Sequence, residues 1–250
     1  MNLDQALAAL PDTKHNVVSV LSGGLDSTVM TFMLVRKYGP ERVFALSYDY
    51  GQKQRVELTK AQRTCQTLGI EHRILNLGIL GDIAGRMSAN IEGSEVAMPT
   101  IRDVLGDPQP KTYVPFRNMI LNSLAFSFAE VNKASHVFTG LQVHDEYGYW
   151  DTTQKFVDTM NTVADQNRTH KVRLEAPFSA LSKKDEILIM QEMGKIGHLA
   201  DTLTCYNPTA DISCGVCPSC SERIQNFASA GIIDPIPYAI GIPWVQLCAR

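Results

Sequence analysis

Residues 22–27 form a glycine-rich turn whose residue types suit phosphate binding. The turn follows an apolar run over residues 15–21 and precedes a helical pattern over residues 27–38. A phosphate bound between a strand and a helix needs backbone N–H donors free of side chains, and the positive end of the helix dipole favours it. The predicted phosphate-binding residues are Ser22, Gly23, Gly24, Leu25, Asp26 and Ser27.

Asp26 adds a second chemistry to this turn. A carboxylate beside bound phosphates is typical of a ligand to Mg²⁺, and we predict this catalytic role for Asp26. The turn lacks the Gly-Lys-Ser/Thr ending of a Walker A loop and the third glycine of a dinucleotide-binding fingerprint, so neither of those sites is indicated. The alternative is a Ser/Gly hairpin or a plain helix cap that binds no ligand.

Four cysteines near the C-terminus have a spacing typical of a metal site. They are Cys205, Cys214, Cys217 and Cys220. Four thiolates leave no open position on a tetrahedral ion, so we predict a structural zinc that shapes the pocket without entering the chemistry. An iron–sulfur cluster, which uses similar spacing, and a redox-active disulfide are the alternatives.

The elements that must position these residues alternate between strand and helix patterns. Strands are predicted near residues 15–21, 42–48, 71–77, 135–140 and 171–175, and helices near residues 27–38, 54–68, 117–133, 153–166, 182–193 and 221–230. Ser182 and Asp185 have the spacing of a capping box at one helix start. The alternation predicts a Rossmann-like α/β fold, with a parallel sheet and helices on both faces.

The chain divides into a main domain over residues 1–200 and a metal-binding segment with a tail over residues 201–250. Glycines and prolines interrupt every periodic pattern between residues 78 and 112, and so long a connection is typical of a lid or a mobile insert. We expect mobility there. The tail over residues 232–243 is rich in proline and isoleucine, and it packs on the body, joins a homodimer or is a plain surface tail.

Charge and hydropathy argue against two classes of partner. The 250 residues carry a formal net charge of -3, whereas nucleic-acid binders usually have a basic excess that displaces counterions. No run reaches the roughly 18 apolar residues of a membrane span, and the N-terminus does not resemble a secretion signal. We therefore expect a cytoplasmic protein that acts on small molecules or proteins, without nucleic acid or membrane.

The turn at residues 22–27 matches in full Ser-Gly-Gly-x-Asp-Ser, the signature of the PP-loop superfamily of ATP pyrophosphatases, and the chain resembles that superfamily. The resemblance implies that the fold is of the HUP or adenine nucleotide alpha hydrolase-like type. It also implies that ATP is split between the α and β phosphates. AMP is then left on a carboxylate or carbonyl oxygen, and a nucleophile attacks the activated group.

Further segments resemble the 7-cyano-7-deazaguanine synthase (QueC) family of that superfamily. They are Tyr-Asp-Tyr-Gly-Gln at 48–52, Arg-Val-Glu at 55–57, Tyr-Val-Pro at 113–115, Arg-Asn at 117–118 and Leu-Thr-Cys-Tyr-Asn at 203–207. The resemblance implies that the chain adenylates 7-carboxy-7-deazaguanine, accepts ammonia to form the amide and activates the amide with a second ATP to form the nitrile. It implies ATP contacts at Tyr48 and Asp49 and substrate contacts at Gln52 and Asn118.

Two cationic residues are predicted to assist catalysis. The planar guanidinium of Arg117 can stabilise charge on the phosphates, and Lys183 at a helix start can neutralise a departing pyrophosphate. The family resemblance favours both roles over solvated helix surfaces. Asp49 is a candidate second magnesium contact or ribose contact, and a plain turn residue is its alternative.

One segment departs from the family pattern. The family typically has Asp-Tyr-Ser-Gly-Tyr-Pro-Asp-Cys-Arg, but residues 145–153 lack the Cys-Arg pair, which removes a cation able to pair with the substrate carboxylate. Tyr149 and Asp151 are retained, and Asp151 can accept hydrogen bonds from a guanine-like N–H edge. Phe116 stands where the family has a glycine. We predict substrate contacts at Phe116, Tyr149 and Asp151, and an aromatic loop packed on the core is the alternative.

Three functions remain open at this point. The first is the carboxylate-activating ligase of the family, which uses ATP, Mg²⁺ and structural Zn²⁺ and forms the nitrile or stops at the amide. The second transfers an adenylate-activated deazaguanine, or another acid, to an amine on a protein or small molecule. The third is a tRNA-modifying protein, against which the net charge and the isolated position of Cys65 both weigh.

Overall fold

The computed structural model describes residues 1–99, 110–142 and 149–249. Residues 100–109 of the predicted insert and residues 145–148 of the predicted substrate segment lie outside these ranges. Within them, the predicted strands and helices are present close to their predicted bounds.

Five strands in the described ranges form one parallel sheet with the order β3-β2-β1-β4-β5. They are β1 (Asn16–Val20), β2 (Val43–Asp49), β3 (Glu71–Asn76), β4 (Ala134–Thr139) and β5 (Arg173–Glu175). β1 lies at the centre, with Val17 opposite Val43 on one side and Val20 opposite Thr139 on the other. The chain changes direction across the sheet between β1 and β4, and open α/β sheets bind ligands at such a point.

Helices pack on the sheet and form part of the C-terminal segment. They are α1 (Leu3–Ala9), α2 (Leu25–Tyr38), α3 (Val56–Leu68), α4 (Gly78–Ala84), α5 (Arg117–Val131), α6 (Gln154–Ala164), α7 (Lys183–Glu192), α8 (Pro218–Ser229) and α9 (Trp244–Leu247). The predicted capping box is confirmed, since the Ser182 side chain accepts the Asp185 N–H and Asp185 in turn accepts the Ser182 N–H. In the described residues, no helix has the length and apolar character needed to cross a membrane.

Both faces of the sheet are buried, as the sequence predicts. Val17 packs with Met30 of α2 and Ile187 of α7, whereas its neighbour Val18 packs with Ala125 of α5 and Phe156 of α6. Successive residues of a strand point to opposite faces, so each strand supplies two cores. The Rossmann-like α/β prediction, with helices on both faces, is confirmed.

Part of the predicted insert is helical. Leu80 and Ala84 of α4 pack with Ile91 and Val114 in a small apolar cluster. Gly81 allows this approach, because a Cβ at that position would lie 2.4 Å from the carbonyl oxygen of Tyr50. Gly81 and the other glycine of α4 interrupt the helical period in the sequence. The mobility of the insert stays a prediction.

A buried ion pair holds the cysteine-containing segment together. Arg223 of α8 donates to both carboxylate oxygens of Asp234, at 2.6 and 3.0 Å, and to the Thr202 hydroxyl at 2.8 Å. Arg223 and Asp234 are almost fully buried, and bidentate geometry holds both partners in one orientation. The pair therefore fixes α8 against the chain that enters the cysteine cluster.

Candidate active site

A cavity of about 370 Å³ opens at the carboxyl ends of β1, β2 and β4. Its walls include Ser22 after β1, Tyr48 at the end of β2 and Gly140 after β4. The cavity thus lies at the point where the strand order reverses, the position at which this class of sheet binds ligands.

The glycine-rich turn forms the floor of this cavity. The Ser22 N–H donates to the Ser27 hydroxyl oxygen at 3.1 Å, and the Gly24 N–H donates to the Ser22 hydroxyl oxygen at 3.1 Å. Gly24 caps α2 without a side-chain hydrogen bond. The start of α2 therefore keeps N–H donors that no side chain occupies, which suits an anion.

Gly23 has a conformation and surroundings that exclude other residues. Its φ is +93°, and a Cβ there would lie 2.1 Å from the carbonyl oxygen of Glu57. The Gly23 carbonyl accepts the Leu203 N–H at 3.0 Å. The turn is thus closely packed between α3 and the chain that leads to the cysteines.

Lys183 lies between two carboxylates of the cavity wall. Its Nζ atom is 2.8 Å from Glu222 Oε2 and 3.8 Å from Asp26 Oδ2. Burial by itself lowers the pKa of Lys183, but the charges of Asp26 and Glu222 outweigh burial, so the pKa is raised and the ammonium stays charged. The structure therefore brings the two predicted catalytic residues Asp26 and Lys183 together.

Glu186 is a member of this group that the sequence analysis missed. It is fully buried, and Gln142 donates a hydrogen bond to it. Burial, and then the neighbouring Asp26, raise the pKa of Glu186 well above its usual range, which favours the neutral form of this carboxyl group. In the sequence, Glu186 looks like one more acidic residue in the first turn of a helix, and nothing distinguishes it.

Arg117 lines the opposite wall, as predicted for a phosphate-binding cation. Its Nη1 atom donates to the Tyr50 hydroxyl at 3.2 Å. Glu57 also lines the cavity, and the sequence analysis gave it no role. Burial raises the pKa of Glu57 to about 8, and the nearby charge of Arg117 opposes that shift.

Tyr48 and Gln52 line the cavity but use their polar groups within the protein. The Tyr48 hydroxyl donates to the Leu121 carbonyl at 2.6 Å. The Gln52 amide donates to the Tyr48 carbonyl at 3.0 Å and accepts the Tyr50 N–H at 2.9 Å. Both residues order the turn after β2, and their predicted ligand contacts stay predictions.

Asp49 does not line this cavity. Its Oδ2 atom lies 2.6 Å from Arg55 Nη2, and its Oδ1 atom accepts the Gly51 N–H at 3.3 Å. The geometry therefore gives no support to a magnesium or ribose contact at Asp49.

Of the predicted substrate contacts near α5, only Asn118 lines the cavity. Asp151 is 2% exposed, and its Oδ2 atom accepts the Asn118 N–H at 3.1 Å. A carboxylate at that point satisfies a free N–H in the first turn of α5. Asp151 thus has a structural task, and its predicted contact with a guanine-like edge has no support from the geometry.

Phe116 and Tyr149 lie outside the cavity lining and belong to an aromatic group. The Tyr149 ring stacks on Tyr113 with centroids 5.8 Å apart, and Phe116 meets Trp150 edge-on at 5.3 Å. Phe116 is 52% exposed and has a φ of +55°, a left-handed conformation that is uncommon for a residue other than glycine. The predicted substrate contacts of Phe116 and Tyr149 stay predictions.

The four cysteines form a group that can hold a metal ion. Their sulfur atoms all lie within 4.8 Å of one another, and the Cys214–Cys220 and Cys205–Cys217 pairs are 3.9 and 4.0 Å apart. A tetrahedral ion with bonds of about 2.3 Å places its sulfurs about 3.8 Å apart, close to the observed spacing. Since a disulfide requires about 2.05 Å, these separations fit one ion better than a redox pair.

Polar groups of the cavity wall are ready for a ligand. Asn90 and Thr204 belong to the cavity lining, and Asn90 Oδ1 and Thr204 Oγ1 are buried without a hydrogen-bond partner among the described residues. Buried polar atoms are seldom left without partners, so their arrangement favours a polar ligand. No individual role was predicted for these further lining residues, some of which lie in the family-like segments at 48–52, 55–57 and 203–207: Tyr50, Gln54, Glu57, Asn90, Thr139, Gly140, Thr204, Tyr206, Ser219 and Glu222.

A larger cavity of about 760 Å³ lies beside α4. Its charged lining consists of Asp82, Glu92, Glu95 and one cation, Arg86. This balance disfavours a polyanion such as ATP. The phosphate chemistry therefore belongs to the cavity at the strand ends.

Known proteins resemble this chain over most of its length. The family model described as "Queuosine biosynthesis protein QueC" matches residues 16–231. A 7-cyano-7-deazaguanine synthase of Koribacter versatilis is 36% identical, covering 91% of this chain and 94% of the relative, and one of Chromobacterium violaceum is 34% identical, covering 87% and 91%. The NH3-dependent NAD synthetase of Campylobacter jejuni is similar in structure with a TM-score of 0.43 and 18% identity, covering 77% of this chain and 70% of that one. The extent of the family match and the identity of the relatives together show that the chain belongs to the QueC family.

Proposed function

We propose that this chain is an ATP-dependent ligase that adenylates 7-carboxy-7-deazaguanine, releases pyrophosphate and passes the activated acid to ammonia. The amide is the first product, and a second ATP converts it to 7-cyano-7-deazaguanine. The observation that carries the proposal is the glycine-rich turn in one cavity with Lys183 and Arg117. The names of the relatives give the product, 7-cyano-7-deazaguanine, and the carboxylate substrate and ammonia are part of the proposal.

The residues divide the adenylation step between them. The turn at residues 22–27 binds the phosphates through backbone donors, while Lys183 and Arg117 stabilise negative charge that develops on them. A substrate carboxylate oxygen attacks the α-phosphorus of ATP, and the bond to the β-phosphate oxygen breaks. Pyrophosphate leaves with that electron pair, and the acyl adenylate remains.

Mg²⁺ and Zn²⁺ are the metals that we propose. Asp26 fits a magnesium ligand, because its carboxylate belongs to the cavity lining beside the start of α2. Bound there, Mg²⁺ would neutralise phosphate charge. The four cysteine sulfurs fit zinc in number and spacing. Leu203, two residues before Cys205, donates its N–H to the Gly23 carbonyl, so the metal site is connected to the phosphate-binding turn.

One observation favours a second candidate function, transfer of the activated acid to an amine on a protein. Phe116, Met119 and Trp150 are exposed large apolar side chains on or near the start of α5, beside the cavity-lining Arg117 and Asn118. Exposed aromatic residues are common where proteins bind one another. A protein acceptor would then replace ammonia after a shared adenylation step.

The test of the proposed function follows product formation by mass spectrometry. The protein is incubated with ATP, Mg²⁺, 7-carboxy-7-deazaguanine and ammonium, and pyrophosphate is measured alongside. We expect pyrophosphate that depends on the acid, followed by the amide and the nitrile. An adenylate that accumulates with ammonia present and is consumed only by a co-expressed protein would favour the second candidate. No consumption of the acid would contradict both.

A further inference from the structure

Three carboxyl groups line the cavity, and one of them differs from the others. Asp26 and Glu222 both lie close to the ammonium of Lys183. Glu57 lines the same cavity, and its carboxyl group makes no hydrogen bond or ion pair with any residue in the described part of the chain. A carboxyl group that faces a ligand cavity with no partner is available to the ligand.

The position of Glu57 places it near the reacting groups. Its backbone carbonyl lies against Gly23, where a Cβ would approach it to 2.1 Å, so α3 begins directly beside the phosphate-binding turn. Its side chain is close enough to Arg117 for that charge to act on it. Glu57 therefore borders both the phosphate-binding turn and Arg117, the two groups to which the proposed function assigns the phosphates.

The proton affinity of Glu57 suits proton transfer near neutral pH. Burial raises its pKa to about 8, although the charge of Arg117 opposes the shift. General bases work best when their pKa lies near the working pH. Asp151, the other carboxylate considered for the substrate, already accepts the Asn118 N–H.

We propose that Glu57 is the general base that takes a proton from the attacking nitrogen when the amine displaces AMP. The nitrogen lone pair forms the C–N bond, and the C–O bond to AMP breaks with its electron pair left on the phosphate. One N–H proton passes to the Glu57 carboxylate, so ammonia yields the amide. The inference rests on the proposed function and holds for ammonia or for a primary amine of a protein.

Other titratable groups face the same cavity and must be separated from Glu57. They are Asp26, Tyr48, Tyr50, Lys183, Tyr206 and Glu222, with Arg117 as a fixed charge. Burial raises the pKa of Tyr48 and raises that of Tyr206 to about 12, and the pKa of Lys183 is also raised, since neighbouring carboxylates outweigh its burial. These three groups therefore titrate above the range in which Glu57 acts.

The experiment separates the two half-reactions. Exchange of labelled pyrophosphate into ATP, dependent on the acid and without ammonia, reports adenylation. Single-turnover amide formation from ammonium reports the nitrogen attack. Glu57→Gln and Glu57→Asp are compared with Glu71→Gln, which removes an exposed carboxylate at the start of β3.

We expect Glu57→Gln to keep the exchange while amide formation falls by about 100-fold or more. Glu57→Asp recovers part of that loss, and Glu71→Gln behaves like the wild type. Plotted against neutral ammonia, the wild-type rate rises with pH and levels off above about 8, because Glu57 must be deprotonated. The Glu57→Gln rate has no such rise.

Two results would overturn the inference while leaving the proposed function intact. The first is normal amide formation by Glu57→Gln. The second is a raised KM of Glu57→Gln for the acid in the exchange reaction, with the amide step unchanged. Glu57 would then bind the N–H edge of the deazaguanine and take no part in the proton transfer. If the wild type itself shows no acid-dependent exchange, the proposed function fails and the inference fails with it.

Discussion

Two regions of the candidate site are built in different ways. The phosphate side, defined as residues 22–27 with Lys183, lies at the ends of a strand and two helices. The aromatic side, defined as Tyr113, Phe116, Tyr149, Trp150 and Asp151, is formed mainly by connecting segments. Regular elements hold the first, whereas mutual side-chain contacts hold the second.

This difference shows which parts of the site tolerate change. On the phosphate side, backbone atoms approach so closely that Gly23 has no room for a side chain. On the aromatic side, Phe116 occupies a left-handed conformation and remains half exposed. Backbone packing therefore leaves no freedom at Gly23 on the phosphate side, whereas the half-exposed Phe116 on the aromatic side can be replaced with less disturbance.

The sharpest test of this contrast is Gly23→Ala. Its Cβ would collide with the Glu57 carbonyl in a backbone conformation that disfavours alanine, so we expect destabilisation of more than about 4 kcal/mol, or no folded protein. Denaturant unfolding measures the effect. Gly197→Ala is the control, because nothing lies within 4 Å of a Cβ there. A Gly23→Ala protein with wild-type stability would show that the turn is not packed as described.

The cysteine centre should support the phosphate side. Cys220→Ser removes one of four ligands, so we expect the bound metal to fall from about one zinc ion per chain to a small fraction, and nucleotide affinity to fall with it. Elemental analysis and nucleotide titration measure the two effects. Cys248→Ser, outside the cluster, should change neither. Iron in the wild-type protein would contradict zinc.

The next effect concerns catalysis alone. Lys183→Met removes the cation between Asp26 and Glu222, and we expect the acid-dependent pyrophosphate exchange to slow by about 10² to 10³. The neighbouring Lys184 is exposed, so Lys184→Met should exchange at the wild-type rate. Equal losses in the two variants would mean that net charge, not the position of Lys183, matters.

Glu57 should make the free energy of unfolding depend on pH. The folded protein holds its proton up to about pH 8 while the unfolded chain loses it near pH 4.5, so folding becomes less favourable as pH rises between these values. Glu57→Gln should therefore melt at a higher temperature than the wild type at pH 8, by about 2–4 °C per kcal/mol gained, and show little gain at pH 5. An equal gain at both pH values would contradict the raised pKa.

The smallest effects belong to the aromatic side. Phe116→Gly should be more stable than Phe116→Ala by about 1 kcal/mol, because only glycine adopts the left-handed conformation freely. Neither change should slow pyrophosphate exchange substantially, since Phe116 does not line the cavity. A large loss of exchange would show that the aromatic side takes part in adenylation.

The same contrast explains what the sequence could predict. Local signals in the sequence predict the fold, through the strand and helix patterns. They also predict the phosphate-binding turn that contains Ser22 and Asp26, and the cysteine cluster that contains Cys205. Lys183 was predicted from its place at a helix start together with the family resemblance, and the structure places it in the cavity lining.

The remaining residues of the site depend on contacts between distant segments. Glu186 and Glu222 look like ordinary helix-surface acids in the sequence, Glu57 stands in a family-like segment without a role of its own, and only packing shows that they meet the cavity or Asp26. The substrate contact of Asp151 stays a prediction, and the bond that it accepts from the Asn118 N–H could not be read from the motif. Helix α4 was missed because glycines required for close packing also interrupt the helical period.

The most direct test of the central claim is exchange of labelled pyrophosphate into ATP by the wild-type protein with Mg²⁺. The account predicts exchange that requires 7-carboxy-7-deazaguanine, persists without ammonia and is lost in Lys183→Met. No exchange with this acid, or the same rate with and without it, would contradict the claim that the cavity adenylates a deazaguanine carboxylate.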